Sequence, residues 1–158
     1  MKHERYEFTK GENNLRFEFF SEGPNGRIKK IVEYSRLISN SVYNLSFGDE
    51  DATTGKINDE VITNNGDSKK VLATVASTIY TFIDSYPGKW IHATGSTRSR
   101  TRLYRMRITN NLEEILQHYE IYGLRNDMWE VFKKKIDYDA FLIRRKKLNL
   151  PYESQEKK

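Results

Sequence analysis

The chain contains no cysteine. A disulfide framework, a thiolate nucleophile and a cysteine-ligated metal site are therefore excluded. The sequence also has no apolar run long enough to cross a membrane, and its first residues lack the apolar core of a signal peptide. These absences predict a cytoplasmic protein without a membrane partner.

The composition is that of a polar protein that folds. Hydrophobic residues make up 37%, charged residues 31% and aromatic residues 13% of the 158 residues. Such an aromatic content argues against disorder and predicts a core built largely from aromatic side chains. The length fits one domain, which we place at residues 1–150, followed by a frayed tail at residues 151–158.

Hydrophobic periodicity predicts strands in the first third of the chain. Apolar and polar residues alternate at residues 15–19 and 42–47, and turn residues at 23–26 lead into a further strand at 28–34. The polar segment at residues 48–60 is interpreted as a hairpin loop before a short strand at 61–63. A meander of antiparallel strands is expected.

Helical spacing begins after Asp67, which is a candidate N-cap. The helix ends before Pro87, and its apolar positions are Val71, Leu72, Val75, Ile79, Phe82 and Ile83. A short strand at residues 90–94 and a basic helix at residues 97–108 follow.

A capping box at Asn111 and Glu114 predicts a third helix. Its buried positions are expected to be Leu112, Ile115, Leu116 and Tyr119. Short strands at residues 121–123, 129–132 and 140–143 complete the pattern. We therefore predict an α+β domain with a mainly antiparallel sheet, a long core helix and a second, basic helical segment packed against it.

The densest charge in the chain lies at residues 95–107, where five arginines occur with no acidic residue among them. A strand that ends at Gly95 and enters a helix rich in serine and threonine directs backbone N–H groups and the positive end of the helix dipole outward. Arginine adds a planar, permanently charged fork that suits phosphate. The candidate phosphate-binding or nucleic-acid-binding residues are Ser96, Thr97, Arg98, Arg100, Arg102, Tyr104, Arg105 and Arg107.

At 100° per residue, Arg98, Arg102 and Arg105 fall on one helix face, whereas Arg100 and Arg107 point elsewhere. The alternative is a solvated helix whose arginines are neutralised by the acidic loop at residues 49–60 or by Glu113 and Glu114. The sequence leaves both open.

Aromatic residues near the basic segments favour a nucleic-acid partner. These are Trp90, Tyr104, Tyr122 and Trp129. Aromatic rings exposed on a sheet can stack unpaired bases while arginines hold the backbone. The net charge of +5 also attracts polyanions. Two lysine- and arginine-rich runs within residues 133–147 would extend the same basic track.

His92, just before the basic helix, is a candidate general base. With Arg98 or Arg102 stabilising a pentavalent phosphate, and Tyr104 or Glu114 assisting, it would suit a small metal-independent ribonuclease of toxin type. The competing interpretation is a partly buried histidine with a structural hydrogen bond.

The acidic loop has oxygen ligands at offsets similar to those of a calcium loop, but its glycine is one place late and its flanks are strand-like. A hairpin turn is the favoured interpretation. A magnesium cluster of Asp59, Glu60 and Asp67 is an alternative that spacing does not test. We predict no metal site and no cofactor.

Four segments resemble a family of small uncharacterised proteins found mainly in Bacteroidetes bacteria. They are residues 43–49 (Tyr-Asn-Leu-Ser-Phe-Gly-Asp), 65–67 (Asn-Gly-Asp), 70–76 (Lys-Val-Leu-Ala-Thr-Val-Ala) and 93–104 (Ala-Thr-Gly-Ser-Thr-Arg-Ser-Arg-Thr-Arg-Leu-Tyr). The resemblance continues to about residue 145. It implies a bacterial, cytoplasmic, single-domain protein, and because the family has no assigned activity it adds no catalytic residue.

The sequence thus favours binding of RNA, single-stranded nucleic acid or another phosphate anion through the basic helix. The first alternative is the metal-independent ribonuclease. The second is a protein-interaction module of a two-gene bacterial system, whose basic helix docks on an acidic protein. Whether the protein is an enzyme, and its oligomeric state, stay open.

Overall fold

The computed structural model describes residues 4–37, 41–58 and 63–147. The strands are β1 (Thr9–Lys10), β2 (Arg16–Gly23), β3 (Gly26–Arg36), β4 (Val42–Asp49), β5 (Trp90–Ala93), β6 (Tyr119–Arg125), β7 (Met128–Val131) and β8 (Ala140–Arg145). The helices are α1 (Ser68–Ser85), α2 (Arg98–Asn110) and α3 (Leu112–Leu116). Some positions named in the sequence analysis lie outside the described residues. They are the expected tail at 151–158, residues 61 and 62 of the expected strand, and Asp59 and Glu60.

The strands form one mixed sheet in the order β1-β2-β3-β4-β5-β8-β6-β7. Strands β4 and β5 pair in parallel, and the other neighbouring pairs are antiparallel. A parallel pair needs a long crossover, and α1 lies within that connection. The predicted α+β class with a mainly antiparallel sheet is confirmed.

One face of the sheet is covered by the helices and is strongly aromatic. The rings of Tyr34 on β3 and Phe82 on α1 stack with centroids 4.3 Å apart, and Tyr43 on β4 meets Phe82 edge-on at 5.0 Å. The Tyr34 hydroxyl hydrogen-bonds Thr78 of α1 at 2.8 Å, so this buried phenol is satisfied. These contacts fix α1 against the strands that precede it.

Asp67 occupies the N-cap position of α1, but its side chain makes no capping hydrogen bond. Its Oδ2 instead accepts hydrogen bonds from the Ser21 hydroxyl at 2.6 Å and from the Tyr6 hydroxyl at 2.7 Å. The expected N-cap position is therefore confirmed, but the side chain does not cap the helix because two hydroxyls distant in sequence engage its carboxylate.

The third helix is shorter than its pattern predicts. Helix α3 has five residues, Asn111 makes no side-chain cap, and its amide donates to the Arg107 carbonyl at 2.8 Å. Leu116 is exposed, so the expected buried stripe is wrong there, whereas Tyr119 is buried as expected but belongs to β6 and not to the helix. Pairing of β6 with β8 takes Tyr119 out of the helix.

A buried ion pair joins β3 to the end of β4. The Lys30 ammonium, which is 2% exposed, contacts Asp49 and also donates to the Thr63 carbonyl at 3.0 Å. The other Asp49 oxygen accepts from the Thr63 N–H at 2.8 Å. Both charges are thus compensated where the chain approaches α1.

We expect Lys30→Met to be strongly destabilising, because it leaves the Asp49 carboxylate buried without its cation. Breaking such a pair costs about 3–5 kcal/mol. The double variant Lys30→Met with Asp49→Asn should recover a large part of that loss, since the amide oxygen still accepts from Thr63. Urea unfolding followed by circular dichroism measures both values. Additive losses in the double variant would contradict the coupling.

Candidate anion-binding groove

A tight turn joins β5 to α2 and sets the direction of the basic helix. The Gly95 N–H donates to the Thr101 hydroxyl at 2.9 Å, and Thr101 is buried. A Cβ on Gly95 would lie 2.5 Å from the Thr101 backbone nitrogen and 2.7 Å from the Arg100 Cβ. Only glycine permits this approach of the turn to the helix.

Helix α2 begins with a capped but incompletely satisfied first turn. The Thr97 side chain accepts a hydrogen bond from the Arg100 N–H at 3.2 Å. The N–H groups of Arg98 and Ser99 have no acceptor within the described segments. Both remain available to an anion at the positive end of the helix dipole.

The structure places Arg98, Arg102 and Arg105 along one groove of about 610 Å³. The loop before β8, with Asp137 and Asp139, forms the facing wall. Arg98 and Arg102 are exposed, and among the described residues their guanidinium groups make no ion pair or hydrogen bond. The groove therefore offers two free arginines beside two free backbone donors.

Arg105, the third arginine of this face, is already engaged. Its side chain is 17% exposed, donates to the Ile136 carbonyl at 3.2 Å and pairs with Asp137 at 3.3 Å. It ties α2 to the loop before β8. Its charge is offset by Asp137, so it adds less to anion binding than its neighbours.

Arg100 points away from this groove. Its guanidinium donates to the Ser96 hydroxyl at 2.9 Å, and its side chain lines a second pocket, of about 310 Å³, beside residues 63–68. Tyr104 lines that pocket and an apolar cavity beneath α2. Burial raises the pKa of the Tyr104 phenol, and the nearby Arg100 partly opposes this rise. Ser96 and Thr97 act first as acceptors within the turn.

Arg107 lines the apolar cavity beneath α2, on the sheet side of the helix. Burial lowers the pKa of its guanidinium. The α2 arginines thus face three different environments.

The acidic loop does not neutralise these arginines through any described contact. Asp49 pairs with Lys30, and Glu50 pairs with Lys29 at 3.2 Å. The Asp51 side chain accepts from the backbone of its own loop, at Thr53 and Thr54. The described acids of residues 49–58 are thus used within the first half of the chain.

His92 lies on the face of the sheet opposite α2. Ile91 and Ala93 line the cavity beneath the helix, so the alternating His92 side chain points the other way. Its Nδ1 is 2.9 Å from the Asn44 side-chain oxygen, its ring meets Trp129 edge-on, and burial lowers its pKa. Arg98 and Arg102 are therefore not its neighbours across the sheet.

The aromatic candidates on this open face pack against each other. The rings of Trp90 and Tyr122 meet at 5.6 Å, and the Arg144 guanidinium lies 4.2 Å from the Trp90 ring centroid. Arg144 also pairs with Glu120 at 3.0 Å. Arg145 contacts Asp84 at 3.5 Å, so much of the second basic run is used in ion pairs.

Lys133, Lys134 and Lys135 are exposed and immediately precede the loop that forms the facing wall of the groove. None of the three is among the residues that line the groove.

Within residues 4–37, 41–58 and 63–147, no cluster of His, Asp and Glu side chains could hold a metal ion. Two of the three proposed magnesium ligands, Asp59 and Glu60, lie outside the described residues. None of the described helices has the length and apolarity required to span a bilayer.

The facing wall of the groove was not anticipated from the sequence. Asp137 and Asp139 follow the basic helix by some thirty residues, and no local pattern connects them to it. Their approach arises from the pairing of β5 with β8, which sets Ala93 beside Phe141. The Thr94 hydroxyl then donates to the Asp139 carbonyl at 2.7 Å.

A model for a family of unknown function, DUF6934, matches residues 2–146 of the chain. The protein belongs to this family. The resemblance to a family without an assigned activity is thereby confirmed. No curated protein and no solved structure matches the chain. The function of this DUF6934 member must therefore be argued from its own residues.

We expect Gly95→Ala to destabilise the protein, because the new methyl group overlaps the backbone of Thr101. Overpacking of this kind costs about 1–3 kcal/mol, and each kcal/mol lowers the Tm of a domain of this size by roughly 2–4 °C. Ser96→Ala in the same turn loses one exposed hydrogen bond and is the matched control. Equal Tm values for the two variants in thermal unfolding would contradict the steric argument.

Proposed function

We propose that the protein binds single-stranded RNA, with the phosphate backbone held in the groove between α2 and the loop before β8. The observation that carries the proposal is the pair of exposed, unpartnered arginines, Arg98 and Arg102, beside the free N–H groups of Arg98 and Ser99. Arginine forks and backbone N–H groups are the donors that phosphate oxygens accept best.

The placement of these arginines opposes helix stability. Arg98 is the first residue of α2, and the first turn has no acidic side chain. Cations at a helix N-terminus and like charges four residues apart are each unfavourable by a few tenths of a kcal/mol. A bound anion would offset both of these unfavourable interactions, because its negative charge attracts the arginines and the positive end of the dipole. Local rules are broken in this way where function requires it.

The groove favours a ligand with hydrogen-bond donors as well as anionic oxygens. Asp139 is exposed, and its carboxylate has no partner among the residues of the described structure. Close to a bound phosphate, an unpaired carboxylate repels a simple anion. A ribose hydroxyl or a base N–H would donate to it, and the 2′-hydroxyl is the group that distinguishes RNA from DNA.

We expect the double variant Arg98→Ala with Arg102→Ala to bind a fluorescein-labelled oligo(U) 12-mer about tenfold more weakly, since each exposed charge contact contributes up to about 1 kcal/mol. The slope of log K against log salt should fall in magnitude by about 1.4, because single-stranded contacts contribute about 0.7 each. Fluorescence anisotropy at several salt concentrations measures both.

The matched control is Lys10→Ala with Lys69→Ala, which removes the same charge from exposed positions outside the groove. An equal loss in the control, or an unchanged slope in the arginine variant, would refute the groove as the binding site. Cleavage of the oligonucleotide that disappears in His92→Ala would support the ribonuclease alternative instead.

A second expectation concerns the choice between RNA and DNA. Asp139→Ala should strengthen binding of oligo(dT), because a repulsive charge is removed, while the gain for oligo(U) is smaller because a hydroxyl contact is lost. The ratio of the two Kd values should therefore shift toward DNA by about three- to tenfold, as for one lost hydrogen bond. Asp127→Ala, in the exposed turn between β6 and β7, is the control. An unchanged ratio would exclude Asp139 from sugar recognition.

A further inference from the structure

The second pocket, of about 310 Å³, adjoins the anion-binding groove at the start of α2. Thr97 and Ser99 line both the pocket and the groove. The pocket volume lies at the lower end of the range found for small-molecule sites. Because a single ribose joins the base and the phosphate of a nucleotide, two sites that share wall residues in this way can be occupied by one nucleotide.

The wall of the second pocket is mostly apolar. Helix α2 contributes Leu103 and Tyr104, which lie three and four residues after Arg100 and therefore share its helix face. Strand β4 and helix α1 contribute further apolar side chains, which are Phe47, Val71 and Leu72. A wall of this kind suits the apolar faces of a flat ring.

Some polar groups on this wall have hydrogen-bonding capacity that the protein does not use. The Tyr104 hydroxyl has no hydrogen-bond partner among the described residues, although the ring is half-buried. The Arg100 guanidinium donates through Nη1 to Ser96 and makes no other contact in the described segments. Both hydrogen bonds described for the Asp67 carboxylate use Oδ2, so Oδ1 can still accept one. Polar groups in such positions normally have partners, so these groups favour a ligand with both donors and acceptors.

We propose that the second pocket binds one nucleobase of the RNA strand whose phosphate occupies the groove, an inference that rests on the proposed function. A nucleobase has apolar faces and an edge of donors and acceptors. Its faces match the apolar wall, and its edge matches the unused groups of Tyr104, Arg100 and Asp67. A phosphate in the pocket would be repelled by the Asp67 carboxylate, and a hydrocarbon chain would leave the polar groups without partners.

The test measures binding of fluorescein-labelled 12-mers by fluorescence anisotropy. The strands are oligo(U), oligo(A), oligo(C) and a strand of abasic riboses, which keeps the phosphates but lacks every base. We expect at least one base-bearing strand to bind about fivefold or more tightly than the abasic strand, as for one stacked base.

Two variants of the pocket wall should reduce this preference for bases. Leu103→Ala removes apolar contact area and should lower the preference about threefold. Tyr104→Phe removes one hydrogen-bond donor and should lower it about two- to tenfold. Neither variant should change the slope of log K against log salt, because neither removes a phosphate contact.

Met106→Ala is the matched control, because Met106 is a similarly exposed apolar residue of α2 that lines neither the second pocket nor the groove. It should leave every Kd unchanged, and circular dichroism confirms that each variant is folded. A base preference that survives in both Leu103→Ala and Tyr104→Phe would overturn the pocket assignment, and so would an equal loss in Met106→Ala.

This proposal and the RNA proposal can fail separately. Equal binding of base-bearing and abasic strands would refute the base pocket alone, provided that this binding still weakens in Arg98→Ala with Arg102→Ala. Binding that this double variant leaves unchanged would refute the groove as the phosphate site. If no strand binds, both proposals are refuted.

Discussion

The buried pair of Lys30 and Asp49 is the constraint on which the rest of the structure depends. Loss of either partner would leave a buried charge uncompensated, which costs free energy of folding. The pair therefore holds β3, β4 and the backbone of Thr63 in one arrangement. Asn65 follows two residues later and donates to the Ser21 hydroxyl, which in turn donates to Asp67. This chain of polar contacts fixes where α1 begins. The basic helix follows later, and its position is set by the pairing of β4 with β5 and by the turn at Gly95.

The acids at the end of β4 and just after it have partners outside the groove. Asp49 is used internally, Glu50 is paired with Lys29, and Asp51 stabilises its own turn. These three acids are therefore not partners of the basic helix in any described contact. Among the described residues, Asp137 pairs with Arg105 of this helix. The acidic loop thus makes no described contact with the basic helix, and two arginines on one face of α2 are left exposed.

Much of the fold was predictable because it rests on local periodicity. Apolar and polar residues alternate in β2 and β4, and apolar residues form a stripe on α1. Both patterns indicate which side of the element is buried. The division of the α2 arginines into different faces also follows from helix geometry alone. The role of Asp67 was not predictable, since its partners Tyr6 and Ser21 are far away in sequence. The facing wall of the groove was not predictable either, because Asp137 and Asp139 reach α2 only through the pairing of β5 with β8.

Helix α2 conflicts with the usual rules of stability at both ends. At its start, arginines occupy the positive end of the dipole without a compensating carboxylate. Near its end, the charge of Arg107 suits the dipole, but two of its donors are buried without acceptors. A helix selected only to cover a sheet would need neither feature, because alanine or leucine would cover it with less strain. Natural sequences depart from local consistency mainly at functional or strained sites. The departure at the start of the helix is the one that the proposed phosphate ligand would relieve.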